Sequence, residues 1–85
     1  MTTAVDDRRD RIKEIVADVL EIEPDELTRT SLFKEDHGAD SLLAIEILAG
    51  LERGFDVTID QEELSRMVNL DAVYEVVADA AGWER

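Results

Sequence analysis

Apolar positions in this chain recur in helical steps. Ile12, Ile15, Val16, Val19 and Leu20 fall at i, i+3, i+4, i+7 and i+8, the stripe of a helix from about Asp7 to Leu20. Ala44, Ile47, Leu48, Leu51 and Phe55 gather on one side of a second helix, from Ser41 to about Arg53. Asp40 stands where it can accept hydrogen bonds from that helix's free N–H groups, and Gly54 fits the left-handed position that closes a helix. A short third helix is expected over Gln61 to Met67, with Asp60 and Glu63 spaced as a capping box. Val73, Val76, Val77 and Ala80 stripe a fourth, from Leu70 to Ala81, between Asn69 as cap and Gly82 as stop. No segment reads as a strand. The pattern predicts an all-α domain, a small four-helix bundle of three longer helices and one short one, with an ordered core over roughly residues 7–81.

Between the first two helices lies a long stretch, Glu21 to Asp40, which reads as loop. Ile22, Leu27, Leu32 and Phe33 are its expected anchors into the core. A connection this long in so small a domain is more often functional than not. Trp83 to Arg85 reads as a frayed tail.

Length and charge narrow the function. At 85 residues the chain is a single domain, and one of this size buries only about 60% of its unfolded surface. Its 22 acidic and nine basic residues leave a net charge of −13. Nucleic acid and anionic membrane, which both call for Lys and Arg against phosphate, are poor partners. A basic protein surface is the natural complement, and its attraction weakens with salt. No apolar run is long enough to span a bilayer and the N-terminus lacks a signal-peptide pattern, so the expected location is cytoplasmic. There is no cysteine, hence no disulfide and no thiol nucleophile, so any thioester chemistry needs an imported sulfur.

The face of the second helix opposite its core stripe is not simply solvated. Leu42, Ile45 and Ala49 line it, with Glu46 and Glu52 as an acidic border, the form of a docking site with an apolar centre and a charged rim. At the start of this helix stands Ser41. Unpaired N–H groups and the positive end of the helix dipole favour an anion there, and the loop leaves the hydroxyl accessible. Taken alone, Asp40-Ser41 reads as a plain helix cap rather than an attachment site.

The wider string decides between these. Glu35-Asp36-His37-Gly38-Ala39-Asp40-Ser41-Leu42 resembles the phosphopantetheine attachment motif of acyl carrier proteins. The likeness continues through Ile45-Glu46-Ile47, through Leu51 to Ile59, through Gln61-Glu62-Glu63-Leu64, and from Asn69 to Val77. It spans nearly the whole chain, from about Arg8 to Ala81. The resemblance implies a non-catalytic carrier. Its Ser41 receives a 4′-phosphopantetheine arm from coenzyme A through a phosphopantetheinyl transferase, with Asp40 and Leu42 completing the attachment motif. The arm's thiol then holds acyl groups as thioesters, and the bundle can shelter them between its helices. Asp40, Leu42, Ile45, Glu46, Ala49 and Glu52 are the implied partner face. The implied partners are acyltransferases, ketosynthases or acyl-activating ligases with basic docking surfaces, meeting a monomeric carrier.

Departures from the family pattern refine the reading. Leu43 stands where fatty-acid carriers often have an acid, Arg53 interrupts an acidic run, His37 replaces a common leucine, and Asp60 a common proline. The partner face is thus expected to be less acidic and more apolar than that of a housekeeping fatty-acid carrier. This points to polyketide or other specialised metabolism, with fatty-acid and peptidyl or aminoacyl cargo as the alternatives. Other classes fit poorly. A serine hydrolase lacks the second glycine of a nucleophile elbow, and its only histidine is His37. A calcium loop starting at Asp36 would have Ile47 at its twelfth position, where a bidentate Glu is needed. No metal site is expected. A plain acidic interaction module remains, distinguished only by needing no modification at Ser41.

Overall fold

The computed structural model describes residues 4–83. The expected tail residues Glu84 and Arg85 lie outside them. Helix α1 runs Ala4–Leu20, starting earlier than its apolar stripe. Helix α2 is short, Phe33–His37; α3 is Ser41–Phe55; α4 is Leu70–Ala81. Two 3₁₀ segments, Pro24–Glu26 and Gln61–Arg66, complete the set, and there is no strand among the described residues. The three longer helices are those the pattern predicts. The short element after α3 forms where expected, but as 3₁₀ rather than α-helix.

The stripes form one core, except that Ala80 is exposed and α4 buries Tyr74 and Ala78 beside its valines. Ile12, Val16 and Ala17 of α1 meet Ile47, Leu48 and Leu51 of α3 and Val73, Val76 and Val77 of α4. Leu27, Phe33, Ile59 and Met67 reach in from the connecting segments, because three long helices leave gaps that their own side chains do not fill. Ile22 and Leu32 are only half-buried. The Tyr74 hydroxyl is buried with no hydrogen-bond partner among the described residues.

Caps expected from the sequence form at three starts. Asp40 Oδ1 accepts the Leu43 N–H, Asn69 Oδ1 that of Ala72, and Asp60 Oδ1 that of Glu62, each at 2.9 Å. At the last of these the reciprocal half is absent, because Glu63 pairs with Arg66 instead. The helix ends depart more from expectation. Gly54 does not stop α3; the helix runs on to Phe55, and Asp56, at φ 53°, takes the left-handed position. Gly54 serves contact instead. A Cβ there would stand 2.7 Å from Ile15 Cδ1, and one at Gly50 3.0 Å from Ile15 Cγ2. The two glycines let α1 and α3 approach closely. α1 ends in a Schellman motif with Glu21 left-handed at φ 59°: the Ile22 N–H reaches Ala17 O at 3.0 Å and the Glu21 N–H reaches Asp18 O at 3.2 Å.

Two further features correct the sequence reading. The segment read as loop contains α2, pinned by the buried Phe33 side chain, by the Leu32 N–H on Asp36 Oδ2 at 2.7 Å, and by the Phe33 N–H on Val68 O at 3.0 Å. Trp83 is not frayed. Its ring meets Phe55 edge-on at 5.2 Å and Tyr74 at 5.7 Å, and the Arg8 guanidinium lies 4.4 Å from its centroid. Among the described residues, no helix is long and apolar enough to cross a membrane.

Candidate functional site

The approach to Ser41 is held rigidly from below. Gly38 ends α2 in the left-handed region at φ 67°, a conformation open to glycine without steric penalty. The chain turns there, and Ala39 is buried, its N–H bonded to Phe33 O at 2.9 Å. Asp40 then commits its carboxylate to the Leu43 N–H. Ser41 emerges as the first residue of α3, and its side chain is exposed. The hydroxyl therefore stands at the positive end of a fifteen-residue helix, on a backbone fixed on both sides.

Beside it opens a cleft of about 570 Å³. Phe33, Ala39, Ala44, Ile47, Leu64 and Met67 give it apolar walls, and Lys34, Glu35, Asp40 and Ser41 also line it. An exposed serine next to an apolar cleft suits a phosphopantetheine arm on two counts: the hydroxyl is free for modification, and apolar cargo on the arm has a place to leave water.

The expected partner face divides. Leu42 is 64% exposed and Ile45 44%, and Asp40 and Glu46 are exposed beside them. Ala49 is only half-buried, neither core nor open face. Glu52 turns inward, its Oε2 accepting the Ile59 N–H at 2.9 Å and closing the corner after α3. Leu43 packs against the core and does not add apolar area to the outer face. Sequence reasoning missed Val68, which is 48% exposed and lies on the cleft. Its signal is absent because it belongs to no helical stripe; its position follows from the Phe33–Val68 bond.

The hydrogen-bond partner of His37 is Ser31, on the segment before α2. Ser31 Oγ donates to Thr28 O at 3.2 Å and accepts the Thr28 N–H at 3.1 Å. His37 Nε2 lies 3.2 Å from the same Oγ, within hydrogen-bond distance. No cluster of His, Asp or Glu able to hold a metal ion occurs among the described residues.

Comparison with known proteins bears on this geometry. Residues 10–80 match the model of the phosphopantetheine attachment site family. Polyketide-8 synthase acyl carrier protein 1 of Streptomyces avermitilis is 68% identical over 82 residues, covering 95% of this chain and 98% of the relative. The chain belongs to the acyl carrier protein family. Polyketide-8 synthase acyl carrier protein 2 of the same organism is 37% identical over 81 residues, covering 95% of this chain and 91% of its own. Among solved structures, a chain of the one described as "The ishigamide ketosynthase/chain length factor" superposes with a TM-score of 0.78 at 38% identity, covering 91% of this chain and 97% of that chain. Acyl carrier proteins tether cargo on phosphopantetheine and leave catalysis to the enzymes they visit, so this chain is a carrier and not an enzyme.

Proposed function

We propose that Ser41 is the attachment point and that the carrier serves a polyketide synthase. The observation that carries this reading is the placement of one exposed hydroxyl at the first turn of α3, beside an apolar cleft and within Gly38-Ala39-Asp40-Ser41-Leu42. A serine hydroxyl is a weak nucleophile at neutral pH, and nothing in the described site activates it, so the transferase supplies the base. In the transfer, a bond forms from Ser41 Oγ to phosphorus, the pyrophosphate bond of coenzyme A breaks with adenosine 3′,5′-bisphosphate as the leaving group, and the hydroxyl proton passes to the transferase's base. The attached arm supplies a thiol that this cysteine-free chain lacks.

The protein's own part is tethering and presentation. A cargo on an arm of fixed length meets each enzyme at a raised effective concentration. Leu42 and Ile45 give the docking surface its apolar centre, with Asp40 and Glu46 as charges at its edge. Partners with basic patches fit: the transferase, a ketosynthase, and acyltransferases or acyl-activating ligases. A ketosynthase is favoured because the matched chain is of carrier size and its structure is described by a ketosynthase and chain length factor. The polyketide assignment rests on the 68% identical relative.

Mass spectrometry of the protein isolated from its host tests the cargo. Ketide thioesters released from the arm are expected. Only saturated fatty-acyl chains, or only aminoacyl groups, would contradict the polyketide assignment.

A further inference from the structure

We infer that Lys34 is the counter-ion of the arm's phosphodiester and a positioning residue that draws the base of the arm toward the cleft. This rests on Ser41 being the attachment point. Once loaded, that serine carries a permanent negative charge at a place already flanked by the exposed carboxylates of Asp40 and Glu35. Among the described residues Lys34 is the only cation lining the cleft beside Ser41, in a chain with two lysines and a net charge of −13. Its ammonium has no ion-pair or hydrogen-bond partner among the described residues. Arg9, Arg29 and Arg66, by contrast, are each engaged by carboxylates.

The position of Lys34 is set by the fold. Its neighbour Phe33 is locked into the core and onto Val68 O, and Gly38 closes the helix one turn later. The residue is thereby held over the same cleft that Ser41 borders. A lysine at this place acts as a mobile point charge on a flexible stem, able to follow a tethered anion without demanding one geometry.

The two lysines make a direct test. The side-chain resonances of Lys34 are followed by NMR before and after loading from coenzyme A, with those of Lys13 as internal control, and intact mass confirms the added arm. Lys34 is expected to move and Lys13 to stay. The displacement should shrink from about 0.01 M to about 1 M salt, over which the screening length falls from about 30 to about 3 Å. In melting experiments, Lys34→Glu should lower the Tm of the loaded form by about 2–4 °C more than that of the unloaded form, while Lys34→Arg should lower both equally or not at all. Loading with Lys34 unmoved, or equal losses in both forms for Lys34→Glu, would overturn the pairing and leave Ser41 as the attachment point. Absence of any added mass would overturn both readings.

Discussion

Glu52 and Ile59 are joined across the corner after α3 by a carboxylate–amide hydrogen bond of 2.9 Å. The bond changes what Glu52 is for. A carboxylate that holds a backbone N–H at the base of a helix is first a structural group. Glu52→Ala should therefore lower stability by about 1–2 kcal/mol, since a charge-assisted bond is lost and the amide is left half-buried. Glu46→Ala, on the open face, should stay within about 0.5 kcal/mol of the parent. Urea unfolding of both variants checks the contrast, and equal effects would return Glu52 to the docking surface.

Glu46 is the better candidate for docking. It is exposed next to Ile45 and has no partner among the described residues. Glu46→Lys should weaken binding to a ketosynthase with a basic docking surface, more strongly at low salt than at high salt. Binding isotherms at two ionic strengths measure this. A loss independent of salt would mean that the surface works through packing.

The α1–α3 contact has a size limit at Gly54. A Cβ there meets Ile15 Cδ1 at 2.7 Å. Overpacking costs about 1–3 kcal/mol, and the gain in helix propensity from Gly to Ala returns about 1 kcal/mol of it. Gly54→Ala should thus be neutral to destabilising by about 2 kcal/mol. Ile15→Val removes Cδ1, so the double variant should be more stable than the sum of the two single changes. Strict additivity in a double-mutant cycle would show that the contact is not the constraint.

Asp71 joins three segments. Its Oδ1 accepts from Arg29 Nε and Arg9 Nη1, each at 3.0 Å, tying the start of α4 to α1 and to the segment before α2. The Arg29 hydrogen bond, with help from Arg9 and against partial burial, holds the carboxyl below the usual carboxylate range. A depressed folded-state pKa stabilises above the unfolded pKa and is lost as pH falls through the folded one. The group is about a third exposed, so solvent screening keeps its contribution to no more than about 1 kcal/mol. Asp71→Asn should be less stable than the parent at neutral pH, and the gap should close below about pH 4. A gap constant with pH would point to packing.

Much of this was legible because it is local. Asp40, Asp60 and Asn69 announce helix starts by side-chain chemistry acting within three residues. The stripes of α1, α3 and α4 need only a period. What sequence reading missed depends on distant partners or on residues that carry no signal. Two helix ends are closed by the acids Glu21 and Asp56 in left-handed conformations, where a glycine would be sought. Gly54 attracted that role but answers to Ile15, far away in the chain. Helix α2 has five residues and is secured by Val68, more than thirty positions later. The candidate site was readable through Ser41, Asp40, Leu42 and Ile45, whereas Val68 and the inward turn of Glu52 follow from tertiary contacts alone.

The most direct measurement is peptide mapping by mass spectrometry after incubation with coenzyme A and a broad-specificity phosphopantetheinyl transferase. One phosphopantetheine on Ser41 is expected in the parent chain, and none in Ser41→Ala, whose helical circular dichroism should match the parent because the position is exposed. An unmodified Ser41 in the folded parent, or modification of a different side chain, would contradict the account.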